Sequence, residues 1–527
     1  DKIRGLWPMF GTAPELDELT TATFSSTCTP SCVNGEFMQP SLNFLSASKL
    51  AAMLRAGEIT SRQTAEAYFA QIGKQNPTYN AIVTVNEANA LAQADQADQA
   101  MRDGKPCGPL HGVPITIKDT YRVNGSRTTA GYPPLKDHIP DSDAVAVQLL
   151  KEAGAIIIGR TNTPTLAMDM QTVNPIFGKT NNPWDVQRTS GGSSGGCATA
   201  LATGMTSLSL GSDLAGSIRL PASFCGVYGL KPTHGVVSFE GHIVPLPGEI
   251  NGYRTLAVAG PLARSIDDLA LALDVLTQPT SSDRNVTPLL ADPGENVDIS
   301  KLKIAWTDNF GGVPVSAEIK DKLHAFVNKL AQAGATVHRI EPQGMDYNEI
   351  WETWGSFVGA QGNYDMSNVK RSIGHLFSKS TVKDIPMQRN IVGPISVRKL
   401  MQAFELQSKY ITRMDNFLSE YDVWLCPVSA TTAFKHHAHS KMLGDFKIYN
   451  TPLQVDGADI HYYVATQSYT TVLTTTNSPV VSMPIGLGPS GLPVNIQVAG
   501  KRYSDRRLLK VAKVLDNYTD KFLYPLQ

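Results

Sequence analysis

Cysteine is scarce, with six in 527 residues, too few to hold a core together by disulfides. A disulfide-framed scaffold is excluded. An excess of either charge is missing too: 46 Lys and Arg against 47 Asp and Glu give a formal net charge of −1. No long-range field therefore draws in nucleic acid or an anionic membrane. No apolar run approaches the roughly 18 to 20 residues that span a bilayer, because Gly, Pro or charge breaks the most hydrophobic stretches. A transmembrane segment is not expected. The chain starts at Asp1 with no signal-peptide pattern, which fits a processed exported protein or a trimmed chain, and the reading leans to export.

Apolar residues at 42% and charged residues at 18% supply a sizeable core and exclude a disordered or fibrous class. Residues 1–45 mix Pro, Thr, Ser and Gly without periodicity and read as an N-terminal extension wrapping the main body. Within it Cys28 and Cys32 lie close together, and a local disulfide or two free thiols are both open. Cys107, Cys197, Cys225 and Cys426 sit among apolar or Gly-rich residues and are expected to be structural.

The main domain, 46–527, opens with helical patterns. Leu50, Met53 and Leu54 mark a helix ended by Gly57, Ser61 caps a second bearing Tyr68, Phe69 and Ile72, and the Ala-rich run Glu87 to Met101 stops at Gly104. Strands are expected at 81–85, 113–118, 155–159, 205–210, 303–306, 336–340, 423–426 and 480–483, alternating with helices at 144–152, 265–276 and 317–333. That alternation defines an α/β class with a large sheet covered by helices. Segments 343–400 and 434–465 have few strand signals but hold Trp351, Trp354, Phe357, Tyr449, Tyr462 and Tyr463. They read as insertions that either shape a substrate pocket or pack as surface loops.

Chemistry gathers in three places. Gly191 to Gly196 reads GGSSGG just before a helical run from Cys197 to Ala202. Glycines at a helix start can cradle an anion, but a Walker loop needs Lys and then Ser or Thr after its last Gly, whereas Cys197, Ala198 and Thr199 follow. Alone, that loop is equally a turn or a site. Gly211 to Arg219 (GSDLAGSIR) surrounds Ser217 with small residues. A nucleophilic serine needs an exposed hydroxyl, a base in reach and backbone donors aimed at the developing oxyanion, and the turn from Leu214 to Ser217 offers consecutive N–H groups. Asp213 and Arg219 either clamp that turn or are two unrelated surface charges. Lys118 ends the 113–117 strand; most strand-end lysines are solvated, yet a buried one gives up its proton readily and becomes a base.

The segments GVPITIKD (112–119), NNPWD (181–185), GGSSGG (191–196), GSDLAGSIRLP (211–221) and CGVYGLKPT (225–233) closely resemble the amidase signature family. The resemblance continues through 259–273, 422–427 and 491–500, and so covers roughly 46–515. It implies one large domain, a mixed central β-sheet sandwiched between helical layers. It also implies Ser217 as nucleophile, Ser193 as a bridging serine in a cis peptide and Lys118 as their base. Oxyanion donors would be the N–H groups of Leu214, Ala215, Gly216 and Ser217, with Ser194, Asp213 and Arg219 in support. The expected activity is cleavage of linear carboxylic amides through an acyl-enzyme, with no metal and no organic cofactor. Ser190 stands where the family often has proline and Ala215 where it often has glycine; neither change removes a catalytic group.

Other features carry less. Lys435-His-His-Ala-His439 resembles a metal tract but has no acid or thiol placed beside it, so an exposed loop is expected. His111 is a rival base that lacks an identifiable orienting acid. The tripeptides at Asn124, Asn285 and Asn517 fit the glycosylation pattern and decide nothing. The expected partner is a small or lipid-like amide, with a homo-oligomer left open. Rival functions are a glutaminase subunit of a tRNA-dependent amidotransferase and a catalytically silent binding protein of the same fold.

Overall fold

Local signals set the first helices. Ser46 accepts the Lys49 N–H and starts α1 (Ala47–Arg55), and Thr60 with Gln63 forms a reciprocal capping box at the start of α2 (Ser61–Tyr79). The cap is thus Thr60 rather than Ser61, whose own N–H is bonded by Asp98 at 2.7 Å. Asn86 caps α3 (Glu87–Arg102). The computed structural model describes residues 41–526 apart from 250–254, 284, 293, 295, 363–366, 368, 370, 373–375, 377–384, 392, 395 and 444–445. Cys28 and Cys32, with most of the 1–45 segment, lie outside the described residues.

Eleven strands form one mixed sheet: β1 (Ile82–Val85), β2 (Pro114–Lys118), β3 (Ile156–Thr161), β4 (Leu208–Asp213), β5 (Tyr228–Lys231), β6 (Val258–Ala263), β7 (Lys303–Trp306), β8 (Thr336–Arg339), β9 (Val423–Pro427), β10 (Val480–Leu487) and β11 (Pro493–Ala499). Their order is β1-β3-β2-β4-β6-β5-β10-β11-β9-β7-β8. The runs β3-β2-β4 and β9-β7-β8 are parallel, and the other neighbours are antiparallel. Every residue of β2, β4, β5 and β6 is buried. Because successive side chains face opposite sides of a sheet, complete burial means that both faces are covered. The cover is helical, from α4 (Val145–Glu152), α5 (Gly195–Ala202), α6 (Arg219–Cys225), α7 (Ile266–Leu276), α8 (Ala317–Gln332), α9 (Tyr347–Gly362), α10 (Val397–Glu420), α11 (Tyr462–Thr475) and α12 (Asp505–Asp516) together with α1 to α3.

Three strands fall outside those expected from the sequence. β6 reads VAGPLA, and a proline inside a sheet argues against a strand. It is tolerated because β5 pairs only with Leu262 and Ala263, leaving Pro261 paired on the β4 side alone. β5 is four residues with a central Gly, whereas β11 opens on a proline, which a strand tolerates at its first residue, and its Val494-Asn-Ile-Gln-Val498 alternation is a strand signal that the expected set omits. The 205–210 strand is displaced to 208–213, which puts Asp213 at the strand end.

Segment 343–400 holds α9, whose Trp351, Trp354 and Phe357 are buried in the main hydrophobic core. Segment 434–465 forms two short hairpins, Lys441–Leu443 with Phe446–Ile448 and Leu453–Val455 with Ala458–Ile460, before α11 begins. Among the described residues no helix is long and apolar enough to cross a membrane.

Candidate active site

Strand β2, third from one edge of the eleven-stranded sheet and paired on both sides, ends on Lys118, whose side chain is fully buried. Its Nζ lies 2.6 Å from Ser193 Oγ and 3.0 Å from Ser212 Oγ. Burial drives this lysine from 10.5 down to about 7, against the opposing pull of Cys197 and Asp213. A substantial share of the side chain is therefore a neutral amine at neutral pH. The backbone behind it is pinned by Arg160, whose Nη2 donates to the Lys118 carbonyl at 3.1 Å and to the Tyr121 carbonyl.

The glycines of the GGSSGG loop sit too close to their neighbours to carry a side chain. A Cβ on Gly192 would sit 2.6 Å from the Asp169 carbonyl oxygen. The Gly192–Ser193 peptide is cis. Ser194 ties this loop to the next one, its N–H donating to the Ser217 carbonyl at 3.1 Å and its Oγ lying 3.4 Å from the Ser212 carbonyl. Ser190 Oγ lies 3.4 Å from the Thr180 carbonyl.

Asp213 organises the second loop. Its carboxylate accepts the N–H groups of Gly216 at 2.8 Å and Ile218 at 3.1 Å and faces the Arg219 guanidinium through Nε at 3.0 Å and Nη2 at 2.9 Å. Burial alone would raise this acid; the adjacent guanidinium more than offsets that and holds it at about 2. Arg219 is satisfied further by the Thr470 carbonyl, Gln497 Oε1 and Thr474 Oγ1, each within 2.8 to 2.9 Å. Both charges are fully buried, so they clamp the turn and are not surface charges.

The turn itself is held from outside. Thr470 Oγ1 donates to the Ala215 carbonyl at 2.6 Å, and Trp354 Nε1 donates to the Leu214 carbonyl at 3.0 Å. Gly216 has φ of +109°, and a Cβ there would meet Thr470 at 2.7 Å. The N–H groups of Leu214, Ala215 and Ser217 have no hydrogen-bond partner among the described residues. Gly216 differs, because its N–H is taken by Asp213.

Lys118 and Ser193 are thus joined directly. Ser217, 6% exposed, is joined to the Ser193 loop through its carbonyl, and no hydrogen bond from its Oγ is present among the described residues. Sequence reasoning missed Ser212, His242 (Nε2 3.1 Å from Ser212 Oγ) and Thr470 as neighbours of this centre, and named Trp354 only as an insertion aromatic that shapes a pocket or packs in a surface loop. Ser212 sits inside the quoted motif and was within reach; the other three come from distant segments with no spacing rule.

His111 is turned away, its Nε2 3.0 Å from the Ala97 carbonyl. The histidine tract diverges: His436 faces Asn181 at 3.2 Å, while His437 stacks on Tyr449 and Tyr462. Among the described residues no group of three His, Cys, Asp or Glu is placed to hold a metal ion. Cys197, Cys225 and Cys426 are buried free thiols and Cys107 is half-buried.

Comparison with known proteins sets the class first. A family model described as Amidase matches residues 63–509, so this α/β chain is an amidohydrolase. The chain is 31% identical over 498 residues to an acylamidase of Rhodococcus erythropolis, covering 90% of this chain and 95% of that one. It is 32% identical over 495 residues to a glutamyl-tRNA(Gln) amidotransferase subunit of Oleidesulfovibrio alaskensis, covering 89% and 96%. In structure it is similar to a fatty acid amide hydrolase, with a TM-score of 0.77 and 25% identity over 92% of this chain and 88% of that one. The chain belongs to the amidase signature family.

Proposed function

We propose that the protein hydrolyses linear carboxylic amides through an acyl-enzyme on Ser217. Neutral Lys118 takes the Ser193 hydroxyl proton as Ser193 takes that of Ser217, and Ser217 Oγ bonds to the amide carbonyl carbon. The N–H groups of Leu214, Ala215 and Ser217 receive the negative oxygen. The C–N bond then breaks, the stored proton returns through Ser193 to the departing amine, and water repeats the attack to release the carboxylate. One observation supports this reading: a buried amine with its pKa near neutrality, 2.6 Å from Ser193, together with a clamped turn in which three N–H groups have no partner among the described residues. Gly216, expected to be a fourth donor, contributes shape through its backbone and not its N–H.

Division of the chain into an extension at 1–45 and a catalytic body with pocket-forming insertions at 343–400 and 434–465 belongs to the same proposal. The bond from Trp354 to the Leu214 carbonyl supports a role for the first insertion in shaping the site. The test is hydrolysis of a panel of aryl, alkyl, fatty-acyl and peptide amides by wild type and Ser217→Ala, with intact-mass analysis after a fluorophosphonate probe. Activity and adduct should vanish together in the variant. Activity surviving in Ser217→Ala overturns the assignment.

A second reading is favoured by the amidotransferase relatives: glutaminase action within a partner complex. It is distinguished by glutamine hydrolysis that appears only with added partner chains and ATP.

A further inference from the structure

Two side chains outside that cycle complete a line of hydrogen-bonding groups behind Lys118. Ser212 Oγ lies 3.0 Å from Lys118 Nζ on one side and 3.1 Å from His242 Nε2 on the other. The imidazole is buried and fixed in orientation, stacked on Phe239 at 4.3 Å and met edge-on by Tyr121 at 4.9 Å. Tyr121 is anchored in turn by donating its hydroxyl to the Gly211 carbonyl at 2.8 Å.

A neutral amine has two N–H donors and one lone pair. To act as a base toward Ser193, Lys118 must keep that lone pair on the Ser193 hydroxyl and spend an N–H on Ser212. Ser212 can accept that N–H without competing for the lone pair only if its own proton is taken elsewhere, and His242 Nε2 is the group placed to take it. Resting on the assignment of Lys118 as the base, we infer that His242 is a positioning residue that accepts the Ser212 hydroxyl proton and thereby holds the Lys118 lone pair on Ser193.

One tautomer is required. For Nε2 to accept, the single ring proton must sit on Nδ1, and the Val244 backbone, which hydrogen-bonds the ring, favours a protonated nitrogen. Burial, with the nearby Lys118 charge, pushes the imidazole well below its usual range and keeps it neutral. Among the described residues the other charged or titratable groups around the line are Asp213 and Cys197 on the Lys118 side, Tyr121, whose hydroxyl also reaches Ser212 while donating to the Gly211 carbonyl, and Arg122 and Glu240, which face each other at 4.0 Å. With Nε2 protonated, Ser212 would turn its own proton onto the Lys118 lone pair and displace Ser193.

The test compares His242→Phe, which keeps the stacking but offers no acceptor, with His242→Gln, whose side-chain oxygen can take the same proton. His242→Phe is expected to lower kcat roughly tenfold to a hundredfold on the high-pH plateau with KM nearly unchanged, and His242→Gln to recover most of it. The freed Ser212 proton stabilises the neutral amine, so the acid limb of the pH profile moves to lower pH. Simple loosening that admits water would move it up instead. In a Ser212→Ala background, His242→Phe should add no further loss. Nitrogen-15 shifts of the wild-type His242 ring read the tautomer without any variant, and an Nε2–H form overturns the inference. So does wild-type kcat in folded His242→Phe, an upward limb, or an equal loss in the Ser212→Ala background. Lys118→Met and Ser217→Ala, assayed alongside, separate the cases: activity surviving in either overturns the base and nucleophile assignment itself, whereas activity lost in both but intact in His242→Phe overturns only the inference about His242.

Discussion

Replacing Asp213 with Asn removes one charge from a pair with no exposed surface on either side and turns one of two acceptor oxygens into an NH2 that faces N–H donors. Arg219 is then a buried guanidinium with neutral partners only: Thr470, Thr474 and Gln497. Stranding one member of a buried pair costs about 3 to 5 kcal/mol. A second route gives a figure of the same order. The carboxyl falls from 3.8 to about 2 on folding, and at roughly 1.4 kcal/mol per pH unit this contributes about 2 kcal/mol. Because the folded-state pKa is depressed, that contribution is complete above pH 3.8 and lost as pH falls through 2. Urea unfolding of Asp213→Asn at pH 7 should therefore show a loss of at least about 2 kcal/mol, narrowing below pH 4. Activity should fall further than stability explains, by roughly tenfold or more, because the carboxylate that accepts the Gly216 and Ile218 N–H groups also aims the neighbouring donors. A variant within about 0.5 kcal/mol of wild type and fully active would refute the clamp.

Two further outcomes bear on the same centre. The kcat/KM profile for amide hydrolysis should lose activity below a limb near pH 7, where Lys118 takes up its proton, falling about tenfold per pH unit; a limb near 10 would mean a solvated lysine. Gly216→Ala should abolish hydrolysis while the protein stays folded, since the new methyl meets Thr470 at 2.7 Å and φ of +109° is strained for alanine; near-normal kcat with an unshifted melting curve would contradict this.

How far the sequence reaches depends on what each residue's role requires. The strands around Lys118 were legible because β2 is a β-branched run between Gly112 and Asp119 and β3 opens on three isoleucines, and the loops around Ser193 and Ser217 because each strings small residues around a serine. β6 was hidden because its Gly and Pro serve close packing: a Cβ on Gly260 would strike the Leu230 carbonyl at 2.2 Å. Strand propensity gave way there to backbone approach. Trp354 looked like a pocket wall or a surface aromatic and is instead a buried hydrogen-bond donor 140 residues along the chain from the Leu214 it holds. His242 has no motif at all. Its role comes from a fold that carries the segment after β5 across the end of β4, and no local pattern encodes that meeting.

The fold also carries a cost at Lys118, and its sign can be worked out. Unfolded, this amine holds its proton to 10.5; folded, it holds it only to about 7. Between those values the unfolded chain binds more protons, so stability rises with pH across that window, and below it the folded state carries the whole penalty of a buried charge. The full difference is on the order of 5 kcal/mol. Lys118→Met keeps the volume and removes the charge, forfeiting two hydrogen bonds worth about 1 kcal/mol each. At pH 6 the variant should therefore be inactive yet more stable than wild type by about 1 to 3 kcal/mol in urea unfolding, with the gap closing as pH rises toward 10. If Lys118→Met were instead the weaker fold at pH 6, the lysine would be stabilising, and a neutral amine poised as a base could not be its resting state.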